Sequence, residues 1–101
     1  MAFTVPSWYI GTVITIERTQ TGIRIEKRIL KVLKGLAEFH DLSVGDLLEG
    51  VLLHVFEGKA PFGERSLKKI AELKKVYELD LNAAHSHKLV EEAAPAKRRK
   101  S

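Results

Sequence analysis

The stretch from Val44 to Phe56 restricts this chain more than any other. Leu47, Leu48, Val51, Leu52, Val55 and Phe56 recur at helical spacing and make more than half of the helix circumference apolar. In a chain of 101 residues, one short amphipathic neighbour is too small to cover that surface, so the pattern predicts burial against another subunit. Ser43 is a good N-cap with Asp46 at its third position, and Gly58 is a natural stop. Before this helix, Ile29, Leu30, Leu33, Leu36 and Ala37 keep helical period while Lys27, Lys31, Lys34 and Glu38 lie opposite. These residues predict an amphipathic helix from Glu26 to near His40 and Asp41, joined to the second by the short turn at Leu42 and Ser43.

On either side the signals change. Thr12 to Ile16 (T-V-I-T-I) and Thr21 to Ile25 (T-G-I-R-I) are short β-branched runs with partial alternation, and predict two strands. Glu17 to Gln20 between them is either a hairpin loop or more strand. After the turn Lys59 to Gly63, the pattern predicts a third helix from Glu64 to Glu78, and Asp80 reads as the cap of a short fourth, Leu81 to about Glu92. Ala93 to Ser101 has nothing to bury and reads as a basic, disordered tail. The chain thus divides into an arm (1–20), a core (21–58), a helical extension (59–92) and a tail (93–101).

Charge narrows the function classes. The formal charge of +4 invites a nucleic-acid reading, but residues 1–92 hold thirteen Lys/Arg and thirteen Asp/Glu, so the excess is Lys97, Arg98, Arg99 and Lys100. The body is neutral yet polarised. Residues 24–34 carry Arg24, Lys27, Arg28, Lys31 and Lys34 against Glu26, while residues 35–58 carry five acids and no Lys or Arg. No run approaches a bilayer span, and Met1 to Ile16 is a poor signal peptide, broken by Thr4, Pro6, Ser7 and Gly11. The lack of cysteine excludes thiolate zinc sites and fits a cytoplasmic protein. His85 and His87, two apart, point to different faces of a helix and do not chelate together. Gly58 to Gly63 has phosphate-loop glycine spacing, but Glu64 and Arg65 stand where Lys and Ser/Thr are required. No carboxylate pair and no Ser-His or His-Glu spacing marks a catalytic site, so the reading is a binding protein, not an enzyme, with no metal and no cofactor.

Residues 23–52, I-R-I-E-K-R-I-L-K-V-L-K-G-L-A-E-F-H-D-L-S-V-G-D-L-L-E-G-V-L, resemble the ribbon-helix-helix DNA-binding fold of the Arc, MetJ and CopG type. The matching parts are the alternating Ile23 and Ile25, the L-x-x-L-A of Leu33 to Ala37, the turn at Leu42 and Ser43, and the apolar second helix. The resemblance implies a mainly α fold with a short β-ribbon, formed by two chains and inserted in the major groove, with an N-terminal β arm and a C-terminal helical extension. It further implies that Gln20, Gly22 and Arg24 face the bases, Arg24 as a guanine reader. Ser43, Val44 and Gly45, at the start of the second helix, resemble the family's phosphate clamp, and Lys27, Arg28 and Lys31 add attraction to the backbone. Gly22 offers no side chain at the middle reading position, Asp41 stands where the family often has Gly, and the extra N-terminal residues suggest a further strand.

The expected function is therefore a homodimeric regulator of transcription, repressor or antitoxin-like, bound to double-stranded DNA. In the alternative, the chain is a protein-interaction or oligomerisation module without nucleic acid, and Arg24 and Lys27 are neutralised by its own carboxylates. A third arrangement combines DNA binding with a protein partner on the C-terminal helices.

Overall fold

A computed structural model of the chain describes residues 14–92. Three helices of 13 residues follow one another: α1 (Lys27–Phe39), α2 (Val44–Phe56) and α3 (Glu64–Val76), with a 3₁₀ turn at Ala83–His85. The helical periodicity in the sequence is realised within a residue or two for all three.

Local chemistry explains their ends. Glu26 caps α1, its Oε1 accepting from the Ile29 N–H at 2.9 Å, and this bond, helped by Arg28, holds the Glu26 carboxyl below its ordinary pKa. Ser43 caps α2 as expected, its Oγ accepting from the Asp46 N–H at 3.1 Å. Each helix closes with the same pair of backbone bonds. The Leu42 N–H donates to Ala37 O, Lys59 N–H to His54 O and Leu79 N–H to Lys74 O, at 2.8–2.9 Å, each behind a residue of positive φ. Those residues are Asp41 (φ 57°), Gly58 (φ 73°) and Glu78 (φ 54°). Asp tolerates the left-handed region; Glu gains no local hydrogen bond there. Glu78→Gly is therefore expected to stabilise the fold by about 0.5–1 kcal/mol, with Asp41→Gly giving less. Urea midpoints of the two variants check this; a lower midpoint for Glu78→Gly would contradict it.

Packing places α1 at the centre. It runs antiparallel to α3, with Lys31 opposite Tyr77, Gly35 against Leu73, and Phe39 and His40 beside Arg65, Ser66 and Lys69. Gly35 permits the approach, since a Cβ there would lie 2.8 Å from Leu73 Cδ2. On its other side α1 meets α2 through Leu36, Ala37 and Leu47, which with Val32 are the buried hydrophobic residues. Leu33, Phe39, Val51, Phe62, Ile70 and Leu73 close around them. Among the described residues the core is small, and Leu52, Leu53, Val55 and Phe56 of α2 stand in solvent, Phe56 at 76% of its full exposure.

Two expectations are corrected. No strand and no β-ribbon forms among the described residues: residues 14–26 adopt no regular secondary structure, and Ile14, Ile16, Ile23 and Ile25 are exposed. A β-branched alternating run becomes a strand only where a second edge satisfies its N–H and C=O groups, and none of the described residues offers one. Thr12 and Val13 of the expected first strand, and the tail, lie outside the described residues. The fourth helix is likewise reduced to one 3₁₀ turn. Asn82, rather than Asp80, is its cap: Asn82 Oδ1 accepts from Ala84 N–H at 2.9 Å, and the Asn82 N–H donates to His85 Nδ1 at 3.0 Å. His87 at φ 66° breaks the helical path two residues on.

Candidate nucleic-acid interface

Gln20, Gly22 and Arg24 all lie exposed on the irregular segment before α1. Without a pleated ladder, nothing fixes their side chains to a common face. Arg24 is engaged: its Nε donates to Glu91 Oε1 at 3.1 Å and its Nη2 to Glu91 Oε2, a two-pronged pair that raises the guanidinium pKa above its ordinary value. Arg28 is engaged more fully. Its Nε donates to Glu26 Oε2 at 3.0 Å, and its Nη1 to both Glu78 O and Asp80 Oδ1 at 3.0 Å, fastening the start of α1 to the chain beyond α3.

The expected clamp at Ser43, Val44 and Gly45 is a helix N-terminus with Gly45 exposed and Val44 half-buried. It is not an electropositive site. Asp46 sits in the first turn, and Arg18, a residue the sequence reading passed over, pairs there with Glu49, Nε to Oε2 and Nη2 to Oε1 both at 2.8 Å, and with Asp46 at 3.7 Å. Arg18 thereby holds the Glu49 carboxyl below its usual pKa and ties the N-terminal segment to α2.

Lys27 and Lys31 belong to a larger array. Antiparallel packing lays α3 along α1, and together these helices carry nine Lys/Arg against Glu38, Glu64 and Glu72, whereas α2 carries two acids and no Lys or Arg. Of the nine, only Arg28 and Lys69 make ion pairs among the described residues, Lys69 with Glu72 at 2.9 Å. The Arg65 guanidinium and Lys69 Nζ lie 4.5 and 5.0 Å from the Phe39 ring centroid, and Lys31 Nζ 5.8 Å from that of Tyr77, so three cations are positioned by aromatic rings, of which Arg65 and Lys31 make no ion pair among the described residues. The α3 contribution escaped the sequence reading because Arg65, Lys68, Lys69, Lys74 and Lys75 are some thirty residues from α1 in the chain. The three- and four-residue steps from Arg65 to Lys68 and Lys69 were the available signal.

Among the described residues no set of three or more His, Asp or Glu side chains is placed to hold a metal ion, and no helix is long and apolar enough to cross a membrane. No family model, curated protein or solved structure matches the chain.

Proposed function

We propose that this chain is a homodimeric DNA-binding regulator, of repressor or antitoxin-like type, that grips duplex DNA through its phosphates. The observation that carries the proposal is the α1–α3 layer, where Lys27, Lys31, Lys34, Arg65, Lys68, Lys74 and Lys75 make no ion pair among the described residues. Clustered, uncompensated cations raise the local potential and release counterions when they meet a polyphosphate. The resemblance of residues 23–52 to DNA-binding regulators favours duplex DNA among polyanions, and a cytoplasmic location belongs to the same reading. Association through the exposed apolar residues of α2 brings two such layers into one particle.

Fluorescence anisotropy on a mixed pool of short duplexes tests the proposal. Binding is expected at low salt with steep salt dependence, and Lys34→Ala should weaken binding similarly across sequences and reduce the slope of log K against log salt by about one. No binding at low salt would reject the proposal; so would a slope indifferent to Lys34 and Lys68 together.

The second reading, an oligomerisation module without nucleic acid, draws on the Arg24–Glu91 and Arg28–Asp80 pairs, which place carboxylates of the same chain on two expected DNA-contacting cations. It shares the α2 association and differs in leaving DNA unbound.

A further inference from the structure

The chain past α3 does not leave the molecule. From Glu78 it turns back over the start of α1, where Leu81, Ala83, His85 and Leu89 share a shallow hollow with Ile29. At one edge of that contact Asp80 Oδ1 and the Glu78 carbonyl take Arg28, and at the other Glu91 takes Arg24 with both carboxylate oxygens. The segment thus puts two carboxylates on the two arginines at the start of α1, Arg24 before the helix and Arg28 in its first turn, where Glu26 also holds Arg28. A carboxylate seated on a guanidinium fork uses the same donors that a phosphate, or the O6/N7 edge of guanine, would use.

We propose that residues 78–92 form an autoinhibitory clasp, in which Glu91 and Asp80 occupy Arg24 and Arg28 in the free protein and are displaced by DNA phosphates. The inference rests on the DNA-binding reading above. Exposure decides that the clasp is reversible: the Glu91 and Asp80 side chains are 62% and 82% exposed and Arg24 is 81% exposed, so solvent screens them, while Arg28, 35% exposed, keeps Glu26 as a second partner when Asp80 is displaced. A phosphate backbone, which offers many anions at once and gains counterion entropy on binding, outcompetes single carboxylates of this kind. The clasp sets a threshold. Isolated anions do not open it, whereas a polyanion that engages the α1–α3 layer does.

The test uses the full chain and the duplex pool, comparing wild type with Glu91→Gln, Asp80→Asn and, as a control for loss of one negative charge elsewhere, Glu57→Gln, whose partner is Lys59 beyond the C-terminus of α2. Glu91→Gln and Asp80→Asn are expected to tighten binding by roughly two- to five-fold each, the range set by exposed ion pairs, and to exceed the control. In an Arg24→Ala background the gain from Glu91→Gln should vanish. An equal gain from Glu57→Gln, a gain that survives Arg24→Ala, or binding with no gain at all overturns the clasp while leaving DNA binding intact. Failure of wild type and every variant to bind at low salt overturns the DNA-binding reading, and the clasp with it. Binding by Glu91→Gln at a higher salt concentration, where wild type has already been released, supports the clasp.

Discussion

Leu36→Ala is expected to abolish cooperative folding, or to leave a melting transition shifted far down in temperature. Leu36 is 2% exposed and lies where α1 meets both neighbours, in a core whose buried hydrophobic members are otherwise Val32, Ala37 and Leu47. Truncating a buried Leu costs about 2–5 kcal/mol in transfer and cavity terms, against a total stability of roughly 5–15 kcal/mol for ordinary domains. Because the core of the described residues is so small, the cost is expected to be a large share of the total. Leu53→Ala supplies the contrast, since Leu53 is 66% exposed within the chain and its truncation should leave the fold of a protomer intact. Circular dichroism against temperature and urea measures both; an unchanged midpoint for Leu36→Ala would refute this account of the core.

The second large effect is on association. Leu53→Ser combined with Phe56→Ser is expected to turn a dimer into a monomer, weakening self-association by about a hundred-fold or more. Leu52, Leu53, Val55 and Phe56 expose a continuous apolar end of α2, and full burial of each large side chain is worth about 1.5–3 kcal/mol. Losing two of them removes more than the roughly 2.7 kcal/mol that a hundred-fold change requires. Light scattering coupled to size exclusion reads the outcome. A monomeric wild type, or a doubly substituted dimer, would show that this face is not the interface. Ser is preferred to Asp because a carboxylate in the last turn of a helix opposes the helix dipole and would destabilise α2 itself.

How far the sequence was legible differs from element to element. The Ser43 cap and the Gly58 stop were readable because each is a local device with a residue-type signature. Asp41 and Glu78 perform the same closing role as Gly58 without the glycine, so only the periodicity on either side marked those ends. The strand expectation for Thr21 to Ile25 failed for a different reason. Alternation records which residues suit a pleated surface, but a ladder also needs a partner edge, and no local pattern states whether one exists. Asp80 was misread because a carboxylate before an apolar residue is equally suited to capping and to meeting a distant cation, and here Arg28 claims it. The candidate site divides the same way. Lys27 and Lys31 were visible as one helix face, whereas Arg18 on Glu49, Glu91 on Arg24 and the addition of α3 to the basic layer are tertiary facts.

If the chain binds DNA as a dimer, as proposed above, the central position of α1 ties the two events together. It touches α2 on one side and α3 on the other, while the backbones of α2 and α3 do not approach each other, so the helix that backs the apolar face also carries four of the nine cations of the basic layer. A change in the tilt of α1 is therefore felt on both surfaces at once. Reciprocity then fixes the sign and size of the relation between them: whatever factor a duplex contributes to the pairing of two chains, the pairing must return to the affinity for the duplex. Substitutions at Gly35, where α1 and α3 approach most closely, are the place to look for variants in which the two affinities move in step although neither binding surface has been touched.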